Sequence, residues 1–83
     1  MGNLARSPKQ IGSALRRYRR AQKMSQTELG KRAGVRQGTI SLIESGSKGV
    51  KLSTVMDILR VLDLELVIQP RTKGSPQDIE EMF

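Results

Sequence analysis

The sequence predicts a small, mainly α domain of four to five helices, closed by one C-terminal β-strand. Three observations carry this. The chain has 83 residues with one Tyr, one Phe and no Trp, so its core must be aliphatic, which suits a helical bundle better than a sandwich. Apolar residues recur at helical spacing through most of the chain. After residue 63 that spacing gives way to a run rich in β-branched residues that stops at Pro70.

Residues 1–6 read as a flexible arm. Basic arms can lie in a minor groove, but this one holds a single Arg, and a frayed terminus is the simpler reading. Ser7 is then a natural N-cap, with Pro8 at the first helical position, where its missing N–H is no loss. The first helix runs to about Gln22, and Ile11, Ala14, Leu15 and Tyr18 mark its buried face. Arg16 and Arg20 lie roughly opposite, as a solvated cationic face; Arg19 borders the apolar stripe.

Ser25 caps a second helix over 26–33, and Glu28 completes the spacing of a capping box. Leu29 and Ala33 share its inner face, and Gly34 stands where a left-handed C-cap is wanted. After Gly34-Val35-Arg36 a third helix runs to about Ser45, with Ile40 and Ile43 inward, and Gly46 ends it. A helix, a short glycine turn and a helix form the helix-turn-helix unit, whose second helix enters the DNA major groove; a plain αα-hairpin shares the pattern. The outer face separates the two. Arg36, Gln37, Thr39 and Ser41 hydrogen-bond base edges and include no acid, whereas a merely solvated helix interleaves Glu and Lys.

Residues 47–51 form a loop, in which Lys48 and Lys51 read either as phosphate clamps or as mobile surface lysines. A fourth helix covers about 52–62, with Leu52, Val55, Met56, Leu59 and Leu62 as inner stripe and Ile58 and Val61 beside it. That exceeds one face, so the helix is buried on two sides or meets another subunit. Residues 64–69, LELVIQ, read as the strand. One strand cannot satisfy its own backbone groups, and the economical partner is the same strand of a second copy, joined through Leu64, Leu66, Val67 and Ile68. A two-fold dimer also supplies two reading helices about 34 Å apart for a palindromic operator. The expected organisation is therefore an arm (1–6), a domain with its dimerisation strand (7–69) and a flexible tail (70–83). The tail ends in IEEMF, which reads as disordered, as a docking segment or as a protease target.

The net charge of +7 is uneven: residues 1–36 hold ten Lys or Arg and one acid, while residues 37–83 hold five and seven. A concentrated basic half is the footprint of a polyanion partner. A membrane surface needs a basic face backed by large apolar side chains, and the near absence of aromatics argues against it. With no Cys or His, disulfides, thiolate nucleophiles and the usual zinc ligands are excluded. The eight acids are scattered, with Glu80-Glu81 the one adjacent pair, and no phosphate-binding glycine loop is present. The expectation is a non-enzyme with no metal, cofactor, membrane or small-molecule substrate. No apolar run approaches a membrane span or signal peptide, so a cytoplasmic location is expected.

SQTELGKRAG followed by VRQGTISLIESG resembles the Cro/C1-type (XRE) helix-turn-helix family over 22 consecutive positions. The resemblance implies a lambda-repressor-like domain and a bacterial or phage repressor associated with the nucleoid. Arg36, Gln37, Thr39 and Ser41 then read bases, while Ser25, Gln26, Thr27, Arg19, Ser45, Lys48 and Lys51 meet the DNA backbone. It further implies an ion pair between Arg19 and Glu44, and a Gln26 that braces Gln37. Two departures stand out: Gly30, where the family usually has Ala, and Gly38, where a side chain often touches a base. The layout of helix-turn-helix, LRVLDLELVIQ and polar tail is similar to the HipB antitoxins. That likeness implies strands paired across a homodimer, repression of the protein's own operon and a HipA-like serine/threonine kinase toxin as partner. The alternative is a free-standing phage-type repressor.

Overall fold

Four helices account for most of the described residues, 4–71, of the computed structural model: α1 (Pro8–Ala21), α2 (Gln26–Ala33), α3 (Gln37–Glu44) and α4 (Leu52–Val61). The tail beyond residue 71 and the first three residues of the arm lie outside the described residues. α1 and α2 start where their caps predict. Ser7 Oγ accepts the Gln10 N–H at 3.1 Å and Ser25 Oγ accepts that of Glu28 at 3.0 Å. Only the serine half of the expected capping box is made, because the Glu28 carboxylate pairs with Arg32 one turn on, at 2.7 Å.

All four helices stop in the same way. Lys23, Gly34, Gly46 and Asp63 take positive φ, at 57°, 72°, 91° and 59°. The N–H of the next residue then reaches back five positions, from Met24 to Arg19, Val35 to Gly30, Ser47 to Leu42 and Leu64 to Leu59. This six-to-one bond satisfies carbonyls the helix leaves open and turns the following side chain inward. Met24 is buried, and Val35 and Leu64 pack against the core.

The core is aliphatic: Leu15, Leu29, Ile40, Ile43, Ile58, Leu59 and Leu62, with Met24 and Ala33. α1 and α2 both pack on α3, and α4 packs on α2. The α1–α3 contact is a backbone approach at Gly12, where a Cβ would collide with the carbonyl oxygens of Ile43 and Glu44. At Gly30 a Cβ would lie 2.5 Å from the Val35 carbonyl oxygen, so the turn closes tighter than an alanine there allows. Gly38 faces open space.

Two expectations change for the C-terminal third. The inner stripe of α4 is Val55, Ile58, Leu59 and Leu62; Leu52 is 68% exposed and Met56 44% exposed. At roughly 100° per residue, Met56 stands more than a quarter-turn from the middle of that stripe. Residues 64–71 form neither helix nor strand, and no strand occurs among the described residues. Leu64 packs on the core, whereas Leu66, Val67 and Ile68 are 52%, 66% and 92% exposed. Between this segment and Ile11, Ala14 and Tyr18 of α1 lies an open apolar cavity of about 570 Å³, which leaves those helix residues half-buried. No helix of the described residues is long and apolar enough to cross a membrane.

Gly12→Ala should destabilise the domain by about 1–3 kcal/mol, because backbone must move to admit one methyl. Gly38→Ala, into open space, should stabilise it by up to about 1 kcal/mol. Urea unfolding of both variants checks the contrast.

Candidate nucleic-acid interface

The last turn of α1 carries Arg19 inward, and the six-to-one turn that follows brings the Met24 carbonyl back over it. Arg19 Nη1 donates to that carbonyl at 2.7 Å. Its Nε and Nη2 donate to the two carboxylate oxygens of Glu44, at 2.6 and 3.0 Å, in a bidentate fork. Arg19 and Glu44 thus join the ends of α1 and α3, with side chains 9% and 4% exposed. The chain of bonds continues outward. Gln26, first residue of α2, donates from Nε2 to Glu44 Oε1 at 3.1 Å, and its own Oε1 accepts from Gln37 Nε2 at 2.6 Å. Carboxylate, amide and amide therefore run from the buried pair to the first residue of α3.

Burial pushes the Glu44 carboxyl up, but it does not prevail. Hydrogen bonds from Arg19 and Gln26, with the charges of Arg19 and Arg16, hold its pKa below the ordinary value. The hydrogen bond to Glu44 raises Arg19 against its own desolvation. Both groups are charged at neutral pH, and no buried side-chain polar atom of the described residues lacks a partner.

With Ile40 and Ile43 buried, α3 turns Gln37, Gly38, Ser41, Leu42 and Ser45 outward. Of the four residues assigned to base reading, Arg36, Gln37 and Ser41 are exposed, and Thr39 is half-buried at the edge of the face. Arg36 is the N-cap residue, so its side chain leaves from the tip of the helix. Among the backbone candidates, Ser25 and Thr27 are exposed at the start of α2, beside half-buried Gln26. Ser45, also exposed, donates its hydroxyl to the Leu42 carbonyl at 2.9 Å. Lys48 and Lys51 are exposed in the loop before α4. Arg19 stands apart from this group, buried with all three nitrogens engaged internally. The outer face also holds a residue that polarity could not single out: Leu42, 56% exposed.

A helix-turn-helix family profile matches residues 15–68. An uncharacterised HTH-type transcriptional regulator of Sinorhizobium fredii is 44% identical over 68 residues, which cover 82% of this chain but 35% of that protein. The antitoxin HipB of Escherichia coli K12 is 32% identical over 75 residues, covering 90% of this chain and 85% of that protein. In structure, a HipB–O2 20mer complex matches with a TM-score of 0.80 at 29% identity, over 87% of this chain and 100% of that one. A chain of a HipA–HipB–O2–O3 complex matches with a TM-score of 0.79 at 30% identity, over 86% and 100%.

The lowered Glu44 pKa has a testable sign. The stabilisation it brings is fully present above the ordinary glutamate range, near pH 4–5, and is lost as pH falls through the lowered folded value. Glu44→Gln should leave Arg19 unpaired in the core and cost about 3 kcal/mol at neutral pH. Its disadvantage to the parent chain should shrink as pH falls from the ordinary glutamate range through the lowered folded value, where the folded parent also protonates the carboxylate. Unfolding followed by circular dichroism across pH checks both parts.

Proposed function

Since the chain belongs to the XRE (Cro/C1-type) helix-turn-helix family, we propose that it is a sequence-specific, DNA-binding repressor, acting as a homodimer in the bacterial cytoplasm. The single observation that carries this is the braced Gln37: the Arg19–Glu44–Gln26 chain holds a bidentate amide at the head of an outer face without acidic side chains. In the major groove Arg36 pairs with guanine, Gln37 with adenine, and Ser41 and Thr39 bond either kind of edge. Ser25, Gln26 and Thr27 at the start of α2, with Ser45, Lys48 and Lys51, position the phosphate backbone. Arg19 acts from behind, as the residue that fixes Glu44 and through it Gln26.

Support for the homodimer comes from Leu66, Val67 and Ile68, whose exposure in a single chain is relieved if the 64–69 segments of two copies pair as strands. Repression is then steric: two α3 helices in successive major grooves occlude a promoter, which we take to be that of the protein's own operon. The similarity to HipB, solved also in a HipA–HipB–O2–O3 complex, supports an antitoxin whose second partner is a HipA-like serine/threonine kinase. The 44% identity to an HTH-type transcriptional regulator favours a second reading, a free-standing repressor without a toxin. Co-purification with a kinase encoded in the same operon separates the two.

The first test is binding to the DNA upstream of its own gene, against random duplex, over a range of salt. The expected result is selective binding with two protomers per site; equal, salt-labile binding to both duplexes refutes the proposal. Gln37→Ala should cost about 1–3 kcal/mol at its own base pairs only. Lys48→Ala should weaken all sequences alike and flatten the salt slope by about one unit. Ile68→Asp should sediment as a monomer at concentrations where the parent chain is a dimer, with its four helices intact by circular dichroism.

A further inference from the structure

We infer that Leu42 reads the C5-methyl group of a thymine in each operator half-site, an assignment that rests on the proposed docking of α3 in the major groove. α3 has three large aliphatic side chains, and two, Ile40 and Ile43, are 1% and 4% exposed in the core. The third, Leu42, is 56% exposed. At roughly 100° per residue, Leu42 stands about 50° from the direction opposite the buried pair, closer to the centre of the outer face than Gln37 or Thr39. Its backbone carbonyl accepts from Ser45 and Ser47, which secures the turn beneath it and leaves the side chain outside.

Gly38 makes this leucine usable. Side chains on a helix lean toward its N-terminus, over the residue four positions earlier. For Leu42 that residue is Gly38, where the space a Cβ would fill has nothing within 4 Å. The bare glycine and the leucine one turn after it form an apolar shelf along the middle of α3, next to the half that approaches base edges. Exposed Gln37 and Ser41 flank it with hydrogen-bonding groups. On the major-groove edges of the four bases the one apolar group is the thymine methyl, so an apolar shelf among polar readers selects thymine.

The test uses the full chain and a duplex that it selects from a random pool. Each thymine of the duplex is replaced in turn by uracil, which removes the methyl and keeps every hydrogen-bonding group. The expected result is one position per half-site where uracil weakens binding roughly fourfold, the equivalent of one buried methyl-sized group. Leu42→Ala, checked for an unchanged melting curve, should bind thymine and uracil duplexes equally at that position and keep its sensitivity elsewhere. Selective binding with no uracil-sensitive position overturns the assignment and leaves base reading standing. A uracil effect that persists in Leu42→Ala overturns it too, by assigning the methyl to another residue. Failure of the chain to select any sequence refutes the proposed function itself.

Discussion

The bidentate contact between Arg19 and Glu44 is the interaction on which the orientation of the outer face depends. α2 and α3 are eight residues each, too short to hold their own shape in water. Their placement must come from packing, and aliphatic packing among Leu15, Leu29, Ile40 and Ile43 is non-directional. The ion pair adds direction. A planar guanidinium with one nitrogen on the Met24 carbonyl and two on the Glu44 carboxylate admits little rotation of α3 about its own axis. Gly12 completes the constraint by letting the α1 backbone sit against the carbonyls at the same end of α3. One contact sets distance and the other sets rotation.

Burying a charge pair in so small a core adds little net stability, since desolvation consumes most of the Coulombic gain. Its value lies in what it fixes. Glu44 has one oxygen on Arg19 alone and shares the other with Gln26. Gln26 thereby has its amide orientation set, with Nε2 inward and Oε1 outward, and Gln37 must present Nε2 to it. A flexible surface glutamine becomes a group with one preferred orientation, which lowers the entropy lost on binding. The pair cancels its own charge, so the positive field over this surface comes from side chains other than Arg19.

Much of this was legible in the sequence because its signals are local. Ser7-Pro8, Ser25 and Gly34 mark helix ends by their own chemistry, and Leu15, Leu29, Ile40 and Ile43 announce the core by spacing. The other two helix ends were harder, because Lys23 and Asp63 take positive φ without being glycine; tertiary packing of Met24 and Leu64 holds them there. On α4 the supply of apolar residues exceeded the demand of one face, so the pattern could not say that Leu52 and Met56 would stay outside. Glu28 satisfied the spacing of a capping box, yet Arg32 one turn on offered it a full charge. Leu42 carried no signal of its own, because an apolar residue beside Ile40 and Ile43 has the composition of core and only the rotation of the helix places it outside.

The C-terminal segment and the outer face of α3 are best understood together. A single reading helix of eight residues offers a handful of base contacts, and much of its affinity is sequence-independent phosphate attraction. Selectivity over a genome needs a second helix held at a fixed spacing, so that two weak readings multiply rather than add. The same chain carries a consecutive run, Leu66-Val67-Ile68, that water disfavours and that the described residues leave more than half exposed. In the proposed homodimer, covering it with its own copy about a two-fold axis would remove the exposed apolar surface and bring a second α3 to the same face of the duplex. On that proposal the hydrophobic run, a liability in the monomer, would itself drive formation of the selective state, and loss of either property would remove the reason for the other.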